Sequence, residues 1–125
     1  MRVRSILLFF ALATGQIGSC AENQSPRVVA FENAKIYDKE RRGIPETTPI
    51  GASELPEHTV MWCQSYVMRA FNLTKQPDFY KAVRVGHSDE IYLLFLDPLS
   101  HSSGPTCAIE RKNKKPRYAF WIPDA

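Results

Sequence analysis

The chain has 125 residues, of which 16 are basic and 13 acidic, so its formal net charge at pH 7 is only +3. This near balance gives no reason to expect nucleic acid or a membrane surface as the general partner. The length suits one small domain with a modest core, and the sequence has no internal repeat or low-complexity tract.

Residues 1–21 are predicted to be a signal peptide. Arg2 and Arg4 precede an apolar run at 6–13, which is too short for a membrane-spanning helix of about 20 residues. Small side chains at 19 and 21 favour cleavage after Ala21. We therefore expect a secreted protein without membrane attachment after cleavage. Removing Arg2 and Arg4 from 16 basic residues leaves 14 against 13 acidic ones, which is nearly neutral.

A second interpretation of the N-terminus is a bacterial lipoprotein signal. The Ile-Gly-Ser-Cys sequence at 17–20 resembles a lipobox, in which Cys20 would be lipidated and become the first mature residue. The lipobox usually begins with leucine. Against a bacterial source, Asn72-Leu73-Thr74 is a sequon that suits a eukaryotic secretory route and makes Asn72 a glycosylation candidate.

Both interpretations leave the same two cysteines, Cys63 and Cys107. In an oxidising compartment such a pair is expected to form a disulfide, the alternative being two buried free thiols. Closing a loop of about 45 residues would stabilise the fold by roughly 3 to 4 kcal/mol. Two cysteines are too few for a structural zinc site without histidines nearby, so we expect neither a metal nor another cofactor.

Residues 22–56 are predicted to be an N-terminal arm, because four prolines break any long helix. Apolar residues at 28–37 predict a strand within the arm that docks on the rest of the domain. The dibasic pair Arg41-Arg42 lies in a polar stretch and is interpreted as solvated charge, with proteolytic processing as the alternative.

Residues 57–125 are predicted to be a compact β domain, since β-branched and aromatic residues now come in short runs. The pattern at 58–71 allows either a bent strand or a helix around 64–73. Residues 79–85 alternate, 86–89 form a turn, and 90–96 are continuously apolar, which predicts a hairpin whose second strand is covered on both faces.

The remaining chain predicts a loop and a second hairpin. Ser, Gly and Pro at 99–105 indicate a flexible loop. Strands are expected at 107–111 and 117–122, joined by a turn at 112–115. The fold class that follows is mainly β, a small sandwich or barrel of about six strands held by one disulfide.

Signatures of catalysis are few, and no catalytic residue is assigned. The three histidines lie in different segments without a triad spacing. His87 with Asp89 and Glu90 is the best acid–base cluster, but we favour its interpretation as a polar hairpin turn. The residue types therefore favour a binding protein over an enzyme.

The sharpest candidate surface is the basic segment at 111–117, in which five of seven residues are basic and which runs into Tyr118, Phe120 and Trp121. Such a cluster can pair with an acidic face on a protein, or contact phosphates and stack a base. We favour a protein partner over nucleic acid; the alternative is a solvated hairpin turn. The candidate partner-binding residues are Arg111, Lys112, Lys114, Lys115, Arg117, Tyr118 and Trp121.

The arrangement resembles the MAX effectors, small secreted β-sandwich virulence proteins of plant-pathogenic fungi. Trp62-Cys63 is similar to the aromatic or apolar segment that carries the family's first cysteine. Val-Arg-Val-Gly at 83–86 is similar to a strand of the family that ends in a turn of this type. Cys107, the basic turn at 113–115 and Trp121 are similar to its second cysteine and last two strands. The resemblance covers about 59–122. The family pattern has two strands in the region that corresponds to the stretch between Val85 and Cys107, where this sequence has room for only one.

The ribonuclease-like effectors of powdery mildews are a second group of similar size, with a single disulfide and a helix packed on a sheet. Their aromatic-x-cysteine motif after the signal is missing here. Either resemblance implies a secreted effector, delivered into or around host tissue, that binds a host protein to modulate immunity without cofactor or turnover. We also expect a monomer. The alternatives are a small secreted ribonuclease using His87, Glu90 and the basic segment, or a bacterial lipoprotein.

Overall fold

The structure, a computed structural model, describes residues 25–37, 39–40 and 46–123. The signal peptide, Cys20 and the Arg41-Arg42 pair lie outside the described residues. In the described residues, five antiparallel strands form one sheet in the order β1-β2-β3-β4-β5, and one α-helix precedes the second strand. The elements are β1 (Thr47–Pro49), α1 (Glu57–Ala70), β2 (Phe79–Val85), β3 (Glu90–Leu96), β4 (Ser103–Glu110) and β5 (Pro116–Trp121).

The prediction of a mainly β fold with one disulfide is confirmed, with five strands in the described part of the chain where about six were expected. The β2–β3 hairpin has the predicted bounds. β4 begins earlier than expected, inside the predicted loop, and therefore contains Pro105. Proline is tolerated there because the β3–β4 register shifts between Leu94 and Leu96, next to the position that Pro105 occupies.

The ambiguous segment after Pro56 is a helix. Its buried residues Thr59, Cys63 and Val67 are spaced four apart, so one stripe of α1 faces the sheet. Asn72, with a φ of 52°, follows the helix in the left-handed conformation that often terminates one. No helix in the described part of the chain is long and apolar enough to cross a membrane.

The strand β3 is buried on both sides, as predicted, because the sheet has a layer on each face. On the helix face, α1 packs over β4 and β5, and Cys63 forms a disulfide with Cys107, their Cα atoms 5.7 Å apart. The helix-face core comprises Leu55, Cys63, Val67, Ala82, Ile91, Leu93, Phe95, Cys107, Ile109 and Ala119. The arm-face core comprises Ala34, Ile36, Val83, Val85, Tyr92, Leu94, Ala108, Tyr118, Phe120 and Ile122.

The arm docks on the sheet, although not as the strand predicted for 28–37. A parallel bridge joins Val28 to Ala119, with the Val29 N–H donating to the Ala119 carbonyl at 2.9 Å. A short 3-10 helix at Phe31–Asn33 follows, and Ile36 is buried against the arm-face core. The arm also supplies β1, which pairs with the C-terminal half of β2, at Val83 to Val85.

Candidate functional site

The first five residues of the basic segment form the turn between β4 and β5, named the basic turn (residues 111–115), and its last two residues begin β5. Its conformation is fixed by internal hydrogen bonds. The Lys114 N–H donates to the Glu110 carbonyl at 2.7 Å, and Lys114 Nζ donates to the Arg111 carbonyl at 2.6 Å. The Lys115 N–H donates to Asn113 Oδ1 at 2.9 Å. Arg111, Lys112 and Lys115 are exposed, so the turn presents cations on a defined backbone.

The turn between β2 and β3, the opposing turn (residues 86–89), lies beside the basic turn. The Arg111 N–H donates to the Asp89 carbonyl at 2.8 Å and so joins the two turns. Between them is an open depression of about 500 Å³, named the turn depression. Two features that are separate in the sequence therefore share one surface. The depression is lined by His87, Ser88, Asp89, Glu110, Arg111, Lys112 and Lys114.

Next to this surface, the buried carboxylate of Glu90 is the centre of a polar cluster. Its Oε1 accepts hydrogen bonds from the Tyr118 hydroxyl at 2.7 Å and the Tyr92 hydroxyl at 3.3 Å. Its Oε2 accepts from Arg117 at 2.8 Å. Lys35 Nζ, from the arm, lies 3.7 Å from Oε1. The side chain of Glu90 is only 4% exposed, so these partners compensate a charge removed from water.

Two further carboxylates at this end of the sheet already have cationic partners. Arg117 donates to Glu110 Oε2 at 2.8 Å through its second terminal nitrogen. Lys35 Nζ donates to Asp89 Oδ1 at 3.2 Å. Among the described residues, no carboxylate lies within ion-pair distance of Arg111, Lys112, Lys114 or Lys115. The basic turn therefore carries positive charge that its neighbours do not neutralise.

A bulge in β5 places two side chains on the same carboxylate. Ala108 pairs with Tyr118 and the next residue, Ile109, pairs with Pro116, so Arg117 is the extra residue. A bulge interrupts the alternation of side chains and can re-aim one of them. Arg117 and its neighbour Tyr118 consequently both reach Glu90.

The cluster shifts the pKa of four groups. Burial raises the pKa of Tyr92 to about 12, and burial together with hydrogen bonds to Tyr92 and Glu90 raises that of Tyr118. The hydrogen bond to Glu90 raises the pKa of Arg117. The hydrogen bond from Lys35 lowers the pKa of the Asp89 carboxyl. At neutral pH the tyrosines are therefore neutral donors and the arginine is charged.

The structure brings five of the seven predicted partner-binding residues together at one end of the sheet: Arg111, Lys112, Lys114, Lys115 and Arg117. Tyr118 is near them but buried and hydrogen-bonded to Glu90. Trp121 lies at the opposite end of β5, edge-on to Phe71 with ring centroids 5.2 Å apart. A Cβ at Gly104 would be 2.8 Å from the Trp121 ring, so only glycine permits this packing.

Asn72, the glycosylation candidate, is exposed in the turn that follows α1. Phe71, its neighbour, packs on Trp121, so the sequon lies at the end of the sheet away from the basic turn. Of the histidines, only His87 lines the turn depression, while His58 packs edge-on against the exposed Trp62.

Sequence reasoning missed the roles of Lys35 and Tyr92 in the polar cluster. The available signal was the position of Glu90 at the start of an apolar run that is predicted to be covered on both faces. A carboxylate there needs partners. Tyr92 is two residues away, but Arg117, Tyr118 and Lys35 are 27, 28 and 55 residues away.

No group of three or more His, Cys, Asp or Glu side chains that could hold a metal ion occurs in the described ranges. Comparisons of this chain with protein-family models, with curated proteins and with solved structures give no match.

Proposed function

We propose that this chain is a secreted effector of a plant-pathogenic fungus that binds a host protein through the basic turn and modulates host immunity without catalysis. The observation that carries the binding surface is the charge arrangement at one end of the sheet. Glu90, Glu110 and Asp89 are already paired with Arg117 and Lys35, which leaves the basic turn uncompensated. An acidic surface on the partner would complement it.

The origin and destination of the protein rest on the sequence. The predicted signal peptide supports secretion, and the resemblance to MAX effectors supports a fungal source and delivery into host cells. The fold, one helix on a five-stranded sheet with one disulfide, also agrees with the arrangement of the ribonuclease-like effectors. Both groups imply the same class of activity, which is binding to a host protein.

The test is affinity capture from host plant extract, followed by calorimetry with the purified, identified partner. The variant Lys112→Glu/Lys114→Glu/Lys115→Glu reverses three charges in the basic turn. A matched control, Lys39→Glu/Lys75→Glu/Lys81→Glu, makes the same change in net charge at exposed positions elsewhere. We expect the first variant to lose the partner and the control to retain it. Equal binding by both variants would remove the basic turn from the proposal.

A small ribonuclease is the second candidate, because His87 shares the turn depression with three basic side chains. The other proposed catalytic group, Glu90, does not line that depression and is bound by Arg117, Tyr92 and Tyr118. We expect no cleavage when the purified protein is incubated with single-stranded RNA. Cleavage by wild type that disappears in His87→Ala would replace the binding proposal with the nuclease.

A further inference from the structure

The residues between the two turns indicate the chemical class of the group on the partner that is bound. We infer that the turn depression is a binding site for one oxyanion of the partner, either the phosphate of a phosphorylated side chain or the carboxylate of an acidic one. This inference rests on the proposed function and narrows the surface to one pocket.

The first argument is that the depression is preformed. Its two walls are the basic turn and the opposing turn, and the hydrogen bond from the Arg111 N–H to the Asp89 carbonyl joins them. The opposing turn is also anchored internally, because the Glu90 N–H donates to Ser88 Oγ at 3.0 Å. A site whose backbone is already ordered loses less conformational entropy when it binds.

The second argument is the balance of charge among the lining residues. The two acidic ones, Asp89 and Glu110, are engaged by Lys35 and Arg117, which do not line the depression. The remaining charged groups of the lining are Arg111, Lys112 and Lys114, which have no carboxylate partner among the described residues. An anion entering the depression would therefore meet a positive environment.

The third argument is the type of donor. A guanidinium offers a planar fork that suits two oxygens of one phosphate or carboxylate, and ammonium groups add point charges. The hydroxyl of Ser88 and the imidazole of His87 add further hydrogen-bonding groups on the opposite wall. The volume of about 500 Å³ accommodates a single side chain that carries such a group.

The first experiment titrates inorganic phosphate into the isotope-labelled secreted protein and follows amide shifts by NMR. We expect saturable shifts at His87, Ser88 and Arg111. Arg111→Gln should weaken binding by about 10-fold or more, because it removes a charge-assisted donor. Lys75→Gln is the matched control: it removes one charge from an exposed lysine outside the basic turn and outside the lining, and it should change binding by less than about twofold.

A second variant, Lys112→Gln, should weaken phosphate binding as well, and the spectrum of each variant reports whether it is folded. Shifts without saturation, or equal weakening by Arg111→Gln and Lys75→Gln, would mean that phosphate is attracted only by the net charge of the protein, and would overturn the pocket.

Three peptides that differ at one central residue distinguish the sources of the oxyanion. They carry phosphoserine, glutamate or serine in the same neutral sequence. Preferential binding of the phosphoserine peptide assigns the phosphate, comparable binding of the glutamate peptide assigns the carboxylate, and binding of all three alike overturns the inference. If Arg111→Gln still captures the host protein but the triple charge reversal does not, the pocket fails while the proposed function stands.

Discussion

α1 covers one face of the sheet and the arm covers the other, and the two layers are attached by different interactions. On the helix face, apolar side chains surround a disulfide that joins the layer to β4. On the arm face, apolar packing is supplemented by the polar cluster around Glu90, to which the arm contributes Lys35. The helix layer is therefore tied covalently, and the arm layer is held by burial and charge.

This difference predicts how each layer responds to reduction, to salt, to pH and to the loss of a side chain. A disulfide is insensitive to salt and moderate pH but is lost on reduction. A cluster of ion pairs and tyrosine hydroxyls is insensitive to reduction but responds to pH and to the loss of any one partner. The predictions below separate the two layers by these responses.

The largest effect is expected when the disulfide is removed. Cys63→Ala/Cys107→Ala should lower the free energy of unfolding by about 3 to 4 kcal/mol, because the unfolded chain gains the entropy of a loop with sequence separation 44. Denaturant unfolding measures the change, and hydrogen exchange should show α1 loosened more than the arm. Wild type under reducing conditions is the control. An unchanged free energy of unfolding would contradict the claim that the disulfide stabilises the helix layer.

The next effect is expected at the centre of the polar cluster. Glu90→Gln places an amide where Arg117 donates, and should cost about 2 kcal/mol, less than a fully buried pair because the Arg117 side chain is 37% exposed. The control Glu110→Gln removes one contact to Arg117 from a side chain that is 30% exposed, and should cost under about 1 kcal/mol. Equal costs for both variants would show that burial of Glu90 does not govern the arm face.

A smaller effect is expected for Tyr92→Phe, about 1 kcal/mol at neutral pH, because it removes a buried hydroxyl that contacts Tyr118 at 3.0 Å. The pKa of Tyr92 is raised from 10.0 to about 12. The contribution of its protonated hydroxyl to the free energy of unfolding is therefore complete below about pH 10 and is lost as pH rises toward 12. The stability gap between wild type and the variant should narrow over that range. Tyr80→Phe, at an exposed tyrosine, should show no such narrowing.

The smallest effect is expected for Lys35→Met, since Lys35 and Asp89 are 51% and 66% exposed. Lys35 lowers the pKa of Asp89 below 3.8, so the contribution of this pair is present above about pH 4 and is lost as pH falls through the lowered value. The small gap in melting temperature between wild type and variant should therefore close in acid. Lys39→Met, an exposed lysine of the same arm, serves as the control.

Much of the sheet could be predicted because its signals are local. The turn at 86–89 and the apolar run after it fix the β2–β3 hairpin to within the observed bounds. The short strand β1 was not predictable, because Thr47–Pro49 reads as a proline-interrupted segment until β2 offers it a partner. The docking of the arm was predicted, but its bridge at Val28 depends on the free edge of β5.

The candidate site divides in the same way. The basic character of 111–117 and the polar turn around His87 are visible in the sequence. Their contact is not, because it depends on the β3–β4 register that sets Glu90 opposite Glu110. The exclusion of Tyr118 from the exposed surface likewise follows from burial against Glu90 and not from its position beside the basic residues.

By itself, the sequence determined the mainly β class, the central hairpin, the cysteine pair and the basic segment, because periodicity, turn residues and composition act over a few neighbours. Only the tertiary structure decided that 58–71 is a helix, that the arm and β5 meet at Glu90, and that two turns enclose one depression. Those outcomes depend on strand register, on one bulge and on pairing across 27 to 55 residues, which no local pattern encodes.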